Sequence, residues 1–189
     1  MADAGPGEDA ALLLRDFVNT LDVDSGTEAL AAPADLVRWL SERGLVPSGT
    51  AAGDADLATA IALREGLRAA MYAHKGPSNV EVRDLDDVLA GLPLRVVLGG
   101  PRPALVPVGD AGTAAAGLAR VASAIMDAAA AGTWTRLKVC EEGTCRWAFL
   151  DTSKNRSRAW CSMRTCGNRT KTRAYRARRR PPTGAAPAR

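Results

Sequence analysis

The fold of this chain is decided by residues 140–166, which begin Cys-Glu-Glu-Gly-Thr-Cys at 140–145 and end Cys-Ser-Met-Arg-Thr-Cys at 161–166. All four cysteines of the 189-residue chain lie in these two segments, and four residues separate the members of each pair. Two close pairs joined by a segment long enough for a β-hairpin are typical of a site that binds one tetrahedral Zn²⁺. The sequence therefore predicts one structural zinc ion with Cys140, Cys145, Cys161 and Cys166 as its ligands.

Disulfide bonds and unrelated buried thiols are the two other roles open to these cysteines. Disulfides are rare in a reducing cytosol, and the acidic start MADAGPGEDA lacks the basic residues and apolar run of a secretory signal. Four cysteines within 27 residues are too concentrated for accidental burial. A catalytic zinc is disfavoured because four thiolates fill the coordination shell and leave no position for water or substrate.

The segment between the cysteine pairs has the composition of a β-hairpin. Residues 146–150 are apolar and β-prone, residues 151–155 supply turn-forming side chains, and residues 159–161 are the expected returning strand. The chain after Cys166 predicts a helix whose first turn carries the last ligand. Together these elements predict a treble-clef-like zinc finger with four cysteine ligands, made of a β-hairpin and a helix.

Basic side chains are concentrated in this second part of the chain. Residues 1–133 contain 10 Lys and Arg and 18 Asp and Glu, which gives a charge of −8. Residues 134–189 contain 15 Lys and Arg and 3 Asp and Glu, which gives +12, so that the whole chain has a net charge of +4. Rigidly attached arginines at helical spacing favour contact with a polyanion, and a solvated basic tail is the alternative. The predicted DNA-binding residues are Lys154, Arg156, Arg158, Arg169, Lys171, Arg173, Arg176, Arg178, Arg179 and Arg180.

Double-stranded DNA is the expected partner, because arginine suits bidentate contacts to phosphate or guanine and only 4% of the residues are aromatic. An RNA-binding or protein-interaction module is the second hypothesis. An enzyme is disfavoured, since the only histidine, His74, has no nucleophile nearby in sequence and no Gly-rich phosphate loop is present. We expect His74 to be solvated or to supply a charge near a helix C-terminus.

Residues 1–133 predict a separate, acidic and mostly helical domain. Helices are expected over residues 35–43, 54–75 and 110–131, with Arg64 interrupting the apolar face of the second and Met126 on the core face of the third. Residues 94–98 and 104–108 predict a hairpin. The fold class is thus mainly α with a small β-hairpin, followed by the finger at 134–180 and a disordered tail at 181–189.

The segment 12–21 fits a helix slightly better than a strand and contains polar residues beside expected core positions. Asp16, Asn19 and Thr20 either hydrogen-bond to local backbone or line a pocket for a small-molecule effector. We expect the acidic domain to be regulatory, through ligand sensing, homodimerisation or masking of the finger. No apolar run is long enough to span a membrane, so a cytoplasmic protein is expected.

Residues 140–180 closely resemble the bacterial CGNR zinc finger, whose name-giving tetrapeptide stands here as Cys166-Gly-Asn-Arg169. Residues 16–20, 35–40, 44–46 and 63–65 more loosely resemble the ABATE domain, the usual N-terminal partner of that finger. The resemblance implies a stress-related bacterial transcription regulator, associated with the nucleoid when DNA-bound. It also implies a zinc role for the four cysteines and a nucleic-acid role for the segment that starts at Arg169.

Overall fold

The computed structural model describes residues 6–74 and 83–179. Six helices and three two-stranded antiparallel sheets follow one another in these residues. The helices are α1 (Pro6–Val18), α2 (Pro33–Glu42), α3 (Asp54–Ala73), α4 (Arg83–Ala90), α5 (Ala114–Ala130) and α6 (Asn168–Arg179). The strands are β1 (Leu21–Asp22), β2 (Thr27–Glu28), β3 (Leu94–Val97), β4 (Ala104–Pro107), β5 (Leu137–Val139) and β6 (Ala148–Leu150).

The expected mainly α fold class with small hairpins is confirmed, and the cysteine-rich end has the make-up of a zinc finger. The ambiguous segment 12–21 is helical up to Val18. Helix α2 begins earlier than expected, at Pro33, because proline is favoured in the first turn and the Asp35 carboxylate accepts a hydrogen bond from the Ala32 amide. Helix α5 begins later, where the Thr113 hydroxyl accepts from the Ala116 amide.

The core forms where α1 packs against α5 and α3. The side chains of Leu14 and Phe17 on α1, Leu67 on α3 and Leu118 on α5 are completely buried there. Strand β5 enters the same core, since Leu137 is also completely buried. The first strand of the finger is therefore part of the hydrophobic core of the N-terminal helices.

Two expectations about α3 and α5 are wrong. Met126 lies on α5 but is 57% exposed, while Leu118 and Val121 on the same helix are fully buried. Arg64 does not interrupt the buried face of α3, because it is itself buried and forms ion pairs with Glu28 at 2.7 Å and with Glu65 at 2.8 Å. Paired carboxylates allow a charged group to be buried at a core position.

The hairpin of the finger is also different from the one expected. Residues 148–150 pair with β5, with Leu137 opposite Leu150 and Val139 opposite Ala148, and not with residues 159–161. Within the described residues, the segment 159–161 makes one backbone-to-backbone hydrogen bond, in which the Glu141 amide donates to the Ala159 carbonyl at 3.0 Å. Strand β5 takes the partner position because its side chains extend the apolar surface that β6 presents to the core.

Candidate metal centre and nucleic-acid interface

The four cysteine sulfurs meet at one point at the end of the finger hairpin. All four lie within 4.8 Å of one another, and the Sγ atom of Cys161 is 3.7 Å from those of Cys145 and Cys166. A tetrahedral zinc ion with Zn–S bonds of about 2.3 Å requires S···S separations of about 3.8 Å. The donor set and its spacing therefore fit one structural zinc ion, as the sequence predicts.

Backbone hydrogen bonds hold each cysteine pair in a tight turn. Cys140 follows β5 directly, and its amide donates to the Trp147 carbonyl at 2.9 Å. Cys166 lies in a single π-helical turn (Met163–Gly167) that leads into α6, and its amide donates to the Ser162 carbonyl at 2.9 Å. The last ligand is thus placed immediately before α6, in the position expected of a treble-clef-like finger.

The thiols of the second pair do not ionise easily on their own. Burial, followed by interactions with the neighbouring cysteines, raises the pKa of Cys166 to about 12 and raises the pKa of Cys161 as well. A thiolate is the form that binds zinc, so metal binding at this site must release protons. A bound zinc ion would balance the charge of the thiolates that form when these protons leave.

Glu142, which lies between the first two cysteines, is a residue of this site that the sequence does not single out. Its side chain is completely inaccessible to solvent, and its carboxylate accepts from the Thr144 hydroxyl at 2.6 Å and from the Cys145 amide at 3.1 Å. It also forms an ion pair with Arg173 of α6 at 2.5 Å. The hydrogen bond from the Thr144 hydroxyl and the ion pair with Arg173 lower the pKa of Glu142 to about 2, although burial acts to raise it. Glu142 therefore links the first zinc-binding turn to the basic helix.

Asp24 provides a second carboxylate for the basic helix, from the distant β1–β2 turn. Both of its oxygens accept hydrogen bonds from the Arg169 guanidinium, at 3.0–3.1 Å. The turn is shaped by Asp22, whose carboxylate accepts from the Asp24 amide, and by Gly26, whose φ of +72° favours glycine. Residues 22–26 have the composition of an ordinary polar turn, and no local pattern reveals that this turn faces residue 169.

Further contacts connect the N-terminal helices to the finger. The Asn19 side chain both donates to and accepts from the backbone of Ala148 in β6, at 2.9 and 2.8 Å. Arg68 of α3 donates to the carbonyls of Val18 and Arg146, so the same guanidinium contacts the end of α1 and the first zinc-binding turn. The finger is therefore firmly attached to the acidic part of the protein.

The three residues suggested for an effector pocket have different surroundings. Thr20 donates to the Phe17 carbonyl at 2.8 Å, and Asp16 forms an ion pair with Arg15 at 2.7 Å. Asp16 and Asn19 line an open cleft of about 590 Å³ between α1 and the finger. The local hydrogen-bonding role is visible for Thr20, and binding of an effector stays a prediction.

His74, at the end of α3, is half-buried, and its surroundings favour the neutral imidazole. Its Nδ1 atom is 2.8 Å from the Leu137 carbonyl, and its ring packs edge-on against Trp134. Burial, with a smaller contribution from the charge of Lys138, lowers its pKa. The neutral imidazole thus serves as a contact between α3 and β5.

The basic residues of the loop after β6 are held by a buried ion pair. Lys138 of β5 and Asp151 lie 2.8 Å apart, with side chains 8% and 0% exposed. Asp151 also accepts from the Arg158 amide at 2.9 Å, and Lys138 donates to the Arg156 carbonyl. Lys154, Arg156 and Arg158 are exposed, although the Arg158 guanidinium donates to the Cys161 carbonyl.

Helix α6 projects from the finger, and every residue from Lys171 to Arg178 is exposed. Among the predicted DNA-binding residues, Arg169 and Arg173 are already paired with carboxylates, whereas Lys171, Arg176 and Arg178 form no ion pair within the described part of the chain. Arg179 is the last residue of α6, and Arg180 lies outside the described residues. No helix in the described residues is both long and apolar enough to cross a membrane.

Comparisons with known families agree with this two-part organisation. Residues 11–133 match the model of the ABATE family, described as "Putative stress-induced transcription regulator". Residues 136–179 match the model of the CGNR zinc finger. A comparison with curated proteins finds no match.

Proposed function

Since this chain belongs to the ABATE family and carries a CGNR zinc finger, we propose that it regulates transcription by binding double-stranded DNA through that finger. The observation that carries the proposal is the exposed helix α6, which has six Lys and Arg residues and no acidic residue among its twelve. Equal charges four residues apart weaken an isolated helix by about 0.2–0.5 kcal/mol per pair. A polyanion bound along α6 removes this repulsion.

The zinc ion in this proposal is structural, and the protein is not an enzyme. Four thiolate ligands leave no open coordination position at which a substrate or water could react. The metal instead supports the cysteine cluster, whose own apolar contacts are the buried Phe149 and the partly buried Trp160. It fixes the start of α6, so that the helix is presented to DNA in one orientation.

The N-terminal domain is proposed to control how the finger is presented. Asp24 and Asn19 belong to that domain and contact α6 and β6 respectively. A ligand or a second subunit that shifts α1 or the β1–β2 turn would therefore move the DNA-binding helix. An effector, a homodimer and a cytoplasmic, nucleoid-associated location are all parts of this proposal.

Duplex binding by the zinc-loaded full-length protein tests the proposal directly. Fluorescence anisotropy with a labelled duplex should be measured at several salt concentrations. If roughly six phosphates are neutralised, log affinity falls with log salt at a slope near −5. A slope near zero, or no binding to any duplex, would refute DNA binding.

The same titration with RNA distinguishes the second hypothesis. Single-stranded RNA that binds more tightly than duplex DNA at matched salt would favour an RNA-binding module instead. We expect the duplex to bind more tightly. Base stacking needs exposed aromatic rings, and the large exposed ones among the described residues are Trp147 and Tyr175.

A further inference from the structure

An open cleft of about 590 Å³ lies along one side of the basic helix. Six of the residues that line this cleft belong to α6 or to the turn before it. Their spacing of three or four residues places them on one helical face. They are Thr165, Asn168, Arg169, Thr172, Arg173 and Arg176, and Arg164 lies beside them at the start of the cleft. The lining therefore contains four guanidinium groups and no carboxylate.

Two of the four arginines already have partners inside the protein. Arg169 donates to both oxygens of Asp24, and Arg173 forms a 2.5 Å ion pair with the buried Glu142. A ligand that used either guanidinium would have to compete with these carboxylates. The contact between Arg173 and Glu142 is the more difficult to replace, because Glu142 is completely buried and would lose a charged partner.

Arg164 and Arg176 are in the opposite situation. Both side chains are exposed, and neither forms an ion pair with any residue in the two described ranges, 6–74 and 83–179. Asn168 lies between them on the cleft wall, and its side-chain amide donates to the Arg164 carbonyl at 3.0 Å, which connects the turn to the helix. The cleft thus offers two free guanidinium groups at the two ends of a fixed wall.

We propose that this cleft follows the phosphodiester backbone of DNA, with Arg164 and Arg176 contacting two different phosphates at its two ends. The inference rests on the proposed function and deepens it, because it selects two arginines from the basic surface and adds Arg164. Guanidinium groups form bidentate hydrogen bonds with phosphate, and the hydroxyls of Thr165 and Thr172 can add neutral ones. Contacts of this kind position the protein on the duplex and do not read its sequence.

The test uses zinc-loaded, full-length protein and a labelled duplex over a range of salt concentrations. Replacing Arg164 or Arg176 by glutamine should each make the slope of log affinity against log salt less steep by about 0.9, and the double variant by about 1.8. At physiological salt this corresponds to about fivefold weaker binding for each single variant. Arg95→Gln is the matched control, because Arg95 is an exposed arginine on β3, remote in sequence from the finger. Its slope should equal that of the wild type.

A second pair of variants distinguishes an effect of lost charge from an effect of lost folding. Arg164→Lys and Arg176→Lys keep the positive charge, so they should retain the wild-type slope. Zinc content and far-UV circular dichroism of every variant should match the wild type, since both side chains are exposed. A double glutamine variant that keeps the wild-type slope would overturn the cleft assignment while leaving DNA binding intact. A wild-type slope near zero would instead overturn the proposed function itself.

Discussion

The buried ion pair between Lys138 and Asp151 allows a quantitative test of how the finger is held together. The two side chains are 8% and 0% exposed and lie 2.8 Å apart. Removing one member of such a pair leaves an uncompensated buried charge, which typically costs about 3–5 kcal/mol. We expect Asp151→Asn and Lys138→Met each to lower the free energy of unfolding by about this amount.

The double variant carries the decisive comparison. When both charges are removed, the loss of unfolding free energy should be smaller than the sum of the losses in the two single variants. The difference should be at least about 1 kcal/mol, which is typical of residues in direct contact. Urea denaturation of zinc-saturated protein at pH 7, followed by circular dichroism, measures all four unfolding free energies. Single losses below about 1 kcal/mol, or losses that simply add, would refute the energetic role of this pair.

The same pair has a defined dependence on pH. Burial acts to raise the pKa of Asp151, but Lys138, Ser153 and the Arg158 amide together hold it below its usual range. A carboxylate with a lowered pKa stabilises the fold above its unfolded pKa, and this contribution is lost as the pH falls toward the folded value. The stability difference between wild type and Asp151→Asn should therefore persist at neutral pH and shrink below about pH 4.

Three further predictions concern the metal, the single histidine and the contact between the two parts of the chain. Cys166→Ser should bind less than one zinc ion per chain in elemental analysis, and full zinc content would contradict the ligand assignment. Because burial lowers the pKa of His74, the neutral form is favoured in the fold. Stability should thus fall as the pH drops below about 6.5, by at most about 1.4 kcal/mol per pH unit, and urea titrations of His74→Gln should lack this component. Asn19→Ala should lower the free energy of unfolding by about 1–3 kcal/mol in urea denaturation, since two backbone groups of Ala148 lose their partner. An unchanged free energy of unfolding would indicate that Asn19 is free to bind a ligand.

The zinc site and most of the helices are predictable because their signals are local. Spacing within each cysteine pair reports the tight turns that zinc requires, and apolar periodicity identifies α3 and α5 to within a few residues of their ends. The strand pairing of the finger is not predictable in the same way. Residues 159–161 are as β-prone as 137–139, and the choice of β5 depends on the core that the N-terminal helices create.

Glu142 and Asp24 show the same limit for the functional surface. In sequence each belongs to an ordinary polar turn, and neither lies near the arginine that it contacts. Residue 24 is 145 positions from Arg169, and the two meet only because α1, α3 and the finger pack together. An ion pair over such a separation leaves no periodicity or spacing by which it can be recognised.

By itself the sequence determined the metal, its four ligands, the division of charge and the helical character of the N-terminal domain, because each of these follows from the order of neighbouring residues. Only the tertiary structure decided which arginines of the basic surface are already paired and which are free for a partner. The physical reason is that the charge of a side chain is set by its identity, whereas its availability is set by the carboxylates that the fold brings within hydrogen-bonding distance. Arg169 and Arg173 have such carboxylates, and Arg164 and Arg176 stand beside the cleft without them in the described structure.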